Sequence, residues 1–269
     1  MTFAAVVVYN KACENSPTCK ALAGISGVTV LIYDNSTKDF GNRAYCAEKG
    51  WTYLGGQGNM GISKAYNACV DAAVSVSKTG TLCLFDDDTE LDPSYFAALE
   101  KARQESDAHI FVPAIYAAGT LISPCMLLPG HKVRMFATPQ EAQNCTDERL
   151  SAINSCMAID LSVFADFRYD ENIFLDGVDH HFTRQMHGRG EKFCLMDYRC
   201  DHGFSGMEKP PKASAMVRFK IYAKDYRYIL KDQKSHYLRL VGKRALRLCI
   251  SYRSLAFLKA FFREWRMYG

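Results

Sequence analysis

Short apolar runs alternate with segments of helical spacing along this chain. Residues 3–9 and 28–33 are continuous, β-rich apolar runs, and 51–54 is a third candidate strand. Between the first two, Asn15-Ser16-Pro17 opens a short segment that reads as helical to Leu22. Over 62–77 the apolar side chains fall at Ile62, Ala65, Tyr66, Cys69, Ala72, Ala73 and Val76, which predicts a helix. A strand at 81–85, a helix from Pro93 to about Ser106 and a strand at 109–113 follow. Strands without polar alternation are buried on both faces, as in a parallel sheet covered by helices. The succession predicts a doubly wound, mostly parallel α/β sheet.

Beyond residue 113 the pattern loosens. Pro124, Pro129-Gly130 and Pro139 punctuate 114–150, so short antiparallel strands and an exposed loop near 137–149 are expected there. Residues 153–159 are strand-like. A helix is expected over 179–187, entered through Asp176-Gly177 and closed by Gly188 or Gly190. A strand at 193–196 then leads to Cys200-Asp201-His202-Gly203.

Composition narrows the class. The 269 residues, 48% hydrophobic and 23% charged, are those of a globular chain and not of a disordered or fibrous one. No uninterrupted apolar run approaches the roughly 20 residues that span a bilayer. The N-terminal residues lack a basic region and a small-residue cleavage site, so they read as a first strand and not as a signal peptide. The 11 cysteines are scattered without Cys-x-x-Cys spacing, which suits a reducing cytoplasm. Cys13, Cys19 and Cys46 fit no common zinc pattern.

The net charge of +4 conceals an asymmetry: 15 Lys/Arg and three Asp/Glu lie between Lys212 and the C-terminus. A body over 1–211 and a basic extension over 212–269 are therefore expected. No Gly or Pro interrupts 213–241, and aromatic and aliphatic residues interleave with the charges, so one or two helices are predicted. Such helices read in two ways. They are membrane-surface elements, drawn to anionic lipid by about 1 kcal/mol per Lys or Arg, or a hairpin packed on the body or on a second copy of the chain. Nucleic acid is the weaker partner, since no recognition motif accompanies the charge.

In an open α/β sheet, ligands bind beyond the carboxyl ends of the strands. Three strands here end in polar residues: Tyr9-Asn10, Asp34-Asn35 and Asp86-Asp87-Asp88. Asn and Asp favour turns in any case, and the acidic triplet also reads as a turn before the helix cap Asp92-Pro93. The chemical reading is a cation site. Adjacent carboxylates repel and lose hydration against an apolar strand, and a hard Mg²⁺ or Mn²⁺ relieves both costs. Alternation along extended chain turns Asp86 and Asp88 to one side and Asp87 to the other.

With these residues placed, the chain resembles glycosyltransferase family 2, and within it the bacterial rhamnosyltransferase-like members. The matching pieces come in order. They are Val6-Val7-Val8-Tyr9-Asn10, Ile32-Tyr33-Asp34-Asn35-Ser36, the helix start Asn59-Met60-Gly61 through Asn67, Leu84-Phe85-Asp86-Asp87-Asp88-Thr89, Phe174-Leu175-Asp176-Gly177-Val178-Asp179, and Gly190. The resemblance covers residues 3–206. His181 stands where the family usually carries an acid, and Ser155-Cys156 replaces a Ser-Gly pair; both departures bear on the acceptor side.

The resemblance implies a GT-A fold and an inverting, metal-dependent transfer of a sugar from a nucleotide diphosphate to a hydroxyl. The donor is dTDP-rhamnose or a UDP-sugar, and the acceptor a lipid-linked glycan or polysaccharide at the inner face of the cell membrane. Asp88 is the implied direct metal ligand, with Asp86 serving metal and ribose and His202 completing the shell. Asp34 is expected to accept from the N3–H of uracil or thymine, with Tyr9 and Asn10 flanking base and ribose. Asn59, Lys64, Asn67 and Asp87 fall on the donor side. Asp179 is the expected base, held ionised by the dipole of its helix; Asp176 is the alternative, and Arg184 is expected to be solvated. Two other readings stand beside this one. A haloacid-dehalogenase-type phosphatase would use Asp86-x-Asp88, but that family wants Thr or Val where Glu90 stands. A non-catalytic module attached by its basic extension is the second.

Overall fold

A computed structural model describes residues 1–129, 132–145, 149–201 and 209–267. The first half forms β1 (Thr2–Val8), α1 (Pro17–Ala23), β2 (Val28–Asp34), α2 (Asn42–Lys49), β3 (Thr52–Gly55), α3 (Ile62–Val76), β4 (Thr81–Asp86), α4 (Ser94–Glu105) and β5 (Ile110–Ala117). Then come β6 (Thr120–Ser123), β7 (Cys125–Leu128), β8 (Lys132–Met135), α5 (Pro139–Gln143), β9 (Leu150–Ser151), β10 (Ala158–Asp160), α6 (Val178–Gly188) and β11 (Phe193–Asp201). The chain closes with α7 (Lys212–Ile229), α8 (Lys234–Tyr252) and α9 (Ala256–Arg266).

The main sheet runs β11-β5-β10-β4-β1-β2-β3, with β6 beside β5. β1 pairs parallel to β2 and β4, β2 to β3, and β5 to β11, whereas β10 lies antiparallel between β4 and β5. One face packs against α3 and α6 through Tyr66, Val70, Phe182 and Met186; the other packs against α1 and α4 through Leu22, Tyr95 and Leu99. This is the expected doubly wound, mostly parallel α/β architecture. The parallel pairs leave the ends of β1, β2 and β4 at one edge, because Val7 stands opposite both Tyr33 and Asp86.

Several local expectations change. Helix α2 escapes the apolar pattern because only Asn42 and Cys46 are buried in it; Gly41 and Gly50, both left-handed, bound it instead. The strand-like run at 153–159 contributes only β10, since Cys156 takes a φ of 62° and breaks the extended path. β5 continues past Pro113, which lies where the pairing to β11 shifts between Leu195 and Arg199 and its missing N–H costs least. The region 137–149 includes the helix α5, capped when the Thr138 hydroxyl accepts from the Glu141 N–H. The short antiparallel strands expected around it are present as β8-β7-β9. Cys13, Cys19 and Cys46 converge in the core, where hydrogen bonds donated to the Cys19 and Cys46 sulfurs and burial hold Cys13 protonated.

The C-terminal segment forms three helices with a core of their own around Phe219, Tyr237, Val241, Phe257 and Phe261. It is also fastened to the sheet domain. Asp225 of α7 is fully buried and its carboxylate accepts the backbone N–H groups of Phe174, Leu175 and Asp176 at 3.0, 2.8 and 2.8 Å. Three donors converging on one carboxylate give charge-assisted bonds, each worth about 1.5–3 kcal/mol. Asp225→Ala is expected to lower the unfolding free energy in urea by about 3 kcal/mol, because it leaves three part-buried donors without their carboxylate. The exposed Asp232→Ala should stay within about 0.5 kcal/mol of the parent protein.

Candidate active site

A cleft of about 910 Å³ opens at the carboxyl edge of the sheet. Val7, Tyr9, Asn35, Asn59, Asp86, Asp87 and Asp88 line one wall; Phe174 and Leu175 lie across from them. The third wall comes from the C-terminal helices, with Val217, Arg218, Ile221, Arg244, Leu248 and Tyr252.

The acidic triplet is not a helix cap. Pro93 holds the cap position and Asp92 stands before it, its Oδ1 accepting the Ser94 N–H at 2.7 Å, and hydrogen bonding holds its pKa down. The three carboxylates are instead locked into the turn after β4. Thr18 and Ser16 donate their hydroxyls to the carbonyls of Asp86 and Asp87, each at 2.6 Å. Asp87 lines the cleft like its neighbours and does not point away. Its carboxylate accepts from the Tyr9 N–H at 3.0 Å and pairs with Lys11 at 2.5 Å. It therefore ties the end of β1 to the end of β4.

On the next strand, Asp34 is only 4% exposed. Its oxygens accept from the Ser36 N–H, the Asn42 amide and the Tyr53 hydroxyl, and it does not line the cleft. Its neighbour Asn35 does, and accepts the Met60 N–H at 2.7 Å. Asn10 adopts a left-handed φ of 51°, and its side chain accepts from Thr37. Asn59 lines the cleft and accepts the Gly61 N–H. Asn67 is buried and holds the 169–171 segment, while Lys64 is half-buried on α3; neither lines the cleft. Gly61 has a φ of 89°, and a Cβ there would stand 2.8 Å from the Phe174 carbonyl oxygen, so only glycine lets α3 begin this close to the 174–176 turn.

Asp176 and Asp179 follow that turn. Burial raises the pKa of Asp176, partly offset by Arg218, which donates to it at 2.6 Å, and by Arg244. The Asp179 carboxyl is pushed up to about 7 by burial and by the Asp86 carboxylate, against a hydrogen bond from the Asn154 backbone. The helix dipole therefore does not keep Asp179 ionised, as expected from sequence; desolvation and a like charge outweigh it. Neither Asp176 nor Asp179 lines the cleft; Asp179 is close enough to the triplet for the Asp86 charge to act on it. Beside it, the Asn154 side-chain amide is buried with no hydrogen-bond partner. Arg184 is exposed on α6, as expected, although partial burial of its guanidinium lowers its pKa. His181 is half-buried and its pKa lowered by burial, and His180 contacts the Ser151 hydroxyl at 2.8 Å.

Among the described residues no cluster of three His, Cys, Asp or Glu side chains is arranged to hold a metal ion, and His202 lies outside them. The donor set nonetheless suits a hard cation. Asp86 and Asp88 both present carboxylate oxygens to the cleft, and Mg²⁺ or Mn²⁺ is commonly held by one or two carboxylates with substrate phosphates supplying the rest.

Solved structures share this architecture. GalNAc-T7, crystallised with UDP, GalNAc and Mn²⁺, superposes with a TM-score of 0.54 at 14% identity over 87% of this chain. The Staphylococcus aureus TarS 1–349 structure in complex with UDP-GlcNAc gives 0.51 at 9% identity, covering 98% of this chain and 79% of that one. The fold is GT-A. The chain spans about half the length of the GalNAc-T7 chain. No protein-family model matches the sequence, and no curated protein does.

Sequence reasoning did not single out Asn154, Arg218 or Arg244, and named Asn35 only as a strand-end and motif residue without a role. The two arginines sit among 15 Lys/Arg of the C-terminal segment, where spacing alone does not single them out. Asp179 yields a stability prediction. Its native pKa is raised to about 7, so the native state keeps a proton that the unfolded state releases above about pH 4. Stability is lost on its account as pH climbs from about 4 to 7, and stays lost above that. Asp179→Asn should therefore raise Tm by several degrees at pH 8 and leave it unchanged near pH 4, measured by scanning calorimetry.

Proposed function

We propose that the protein is an inverting, metal-dependent glycosyltransferase that moves a sugar from a nucleotide diphosphate to an acceptor hydroxyl. The observation that carries this reading is the cleft-facing acidic triplet at the carboxyl edge of a GT-A sheet, with Asp179 near enough for the Asp86 charge to raise its pKa. The ligands named for the two solved neighbours, UDP with Mn²⁺ and UDP-GlcNAc, support a nucleotide-sugar donor. The ordered motifs favour family 2, with dTDP-rhamnose or a UDP-sugar as donor. They favour a lipid-linked glycan or polysaccharide as acceptor, at the inner face of the cell membrane.

Asp88 and Asp86 would hold Mg²⁺ or Mn²⁺, with His202 as a further ligand. Bound there, the cation neutralises charge on the departing diphosphate without proton transfer. Tyr9, Asn35 and Asn59 would form the wall for base, ribose and sugar, with Asn10 shaping the turn beside them through Thr37. Asp34 acts on that wall indirectly, through the turn that carries Asn35, in place of the direct base contact expected from sequence. Arg244 faces the cleft from α8 and supplies a second positive charge toward the phosphates. Asp179 removes the acceptor proton as the hydroxyl attacks, and a base poised near neutrality suits that task. Asn154, buried and away from the cleft wall, would act through its backbone hydrogen bond to Asp179 and not on the acceptor. Asp176, engaged with Arg218, holds the α6 entry and is less suited to proton transfer.

Transfer assays with dTDP-rhamnose and UDP-sugars in Mn²⁺ test the assignment. Activity is expected to require the divalent ion, and kcat should fall as the pH is lowered and Asp179 takes up a proton. Asp88→Asn and Asp179→Asn should each cut kcat/KM by about 100-fold or more, with nucleotide affinity retained in the second. Asp87→Asn should cost less than Asp88→Asn, because Tyr9 and Lys11 keep a polar partner. Folded protein that binds no nucleotide sugar at millimolar ligand would overturn the proposal.

A further inference from the structure

The C-terminal helices have a face that neither the core nor the cleft uses. In α8, Tyr237, Val241, Ala245 and Cys249 turn into the three-helix core, while Arg244, Leu248 and Tyr252 line the cleft. Lys243, Leu246, Arg247 and Ile250 recur at three- and four-residue spacing on the remaining side and are exposed. On the next helix Leu255, Lys259, Phe262 and Arg263 repeat the same arrangement, opposite the buried Phe257 and Phe261. Ile250 is 80% exposed, Leu255 68%, and Leu246 and Phe262 52% each. Large apolar side chains held out of a helix whose own core is complete mark a surface that meets an apolar partner.

We propose that this α8–α9 face docks onto an anionic lipid surface. The charge selects that occupant. Residues 233–267 contain nine Lys/Arg and one acidic residue, Glu264. Against a second copy of the chain, cations would stack on cations. Against nucleic acid, Leu246, Ile250, Leu255 and Phe262 would be stranded on a phosphate backbone. A bilayer with anionic headgroups takes both, the cations at the headgroups and the apolar side chains below them. No described helix is long and apolar enough to cross a membrane, so the contact is one of a helix lying at the interface. Because α8 lines the cleft with its adjoining side, docking brings the cleft to the bilayer, where a lipid-borne acceptor is held. The proposal rests on the glycosyltransferase reading only for that last consequence; the lipid contact stands on the surface itself.

Co-sedimentation of the full chain with vesicles tests it, comparing phosphatidylcholine alone with phosphatidylcholine containing phosphatidylglycerol. Binding is expected only with the anionic lipid and should fall steeply as salt is raised. The quadruple variant Leu246→Ser, Ile250→Ser, Leu255→Ser, Phe262→Ser should weaken binding by about tenfold or more. Lys243→Glu with Arg247→Glu, which leaves the apolar residues in place, should do so too. Both variants should keep the nucleotide-sugar turnover of the parent with a water-soluble acceptor. Equal binding to both vesicles, no binding to either, or a dimer in sedimentation that the serine substitutions dissolve would overturn the proposal. Absence of any turnover alongside intact vesicle binding would sink the catalytic reading alone.

Discussion

Everything at the edge of the sheet is conditioned by the crowding of carboxylates. Asp86, Asp87 and Asp88 leave one strand, and Asp176 and Asp179 enter one helix, within reach of each other's fields. In water such charges repel weakly; against an apolar sheet they lose hydration as well, and each needs a compensating donor or a proton. The chain meets the demand unevenly. Asp87 has Lys11 and a backbone N–H, and Asp176 has Arg218. Asp179 has one backbone donor and meets the remainder by holding a proton up to about pH 7. The unequal compensation is what separates the acids held by a cation from the one that holds a proton.

The C-terminal helices are part of that balance. Asp225 collects the three N–H groups of the turn at 174–176, fixing the approach to Asp176 and Asp179. Arg218 and Arg244 bring positive charge into the same cleft, and both lower the pKa of Asp176 against its burial. A segment that looks in sequence like a basic appendage thus completes the wall and the electrostatics of the cleft.

The sheet was legible because buried parallel strands are written as unbroken apolar runs, and 3–9, 28–33 and 81–85 all became strands of the expected type. The clustering of polar strand ends followed from topology. What stayed hidden depends on three-dimensional neighbours. Helix α2 carries no apolar stripe, Asp34 shows its acidity but not its burial by Tyr53 and Asn42, and Asn67 is a motif residue whose amide serves the 169–171 backbone. The sign of the Asp179 shift was also hidden, since a helix dipole is visible from sequence and desolvation is not. Cys156 is instructive: where the resembling family has glycine, the backbone keeps the left-handed φ of 62° that glycine favours. The position therefore retains the geometry of the glycine while gaining a thiol 3.5 Å from Cys200.

The acidic triplet shows how far side-chain alternation carries and where it stops. Extended geometry assigns Asp86 and Asp88 to one side and Asp87 to the other, and that holds only while the chain is a strand. β4 ends at Asp86, so Asp87 and Asp88 lie in a turn, and all three face the cleft. Their roles divide by partner rather than by direction. Asp87 is engaged by Tyr9 and Lys11, both on the loop that follows β1, so its charge closes the gap between two parallel strands. A cation bound in the cleft would have to compete with Lys11 for Asp87 but with no such ammonium for Asp88. That competition makes Asp88 a better candidate than Asp87 for the proposed metal site, on grounds independent of any motif.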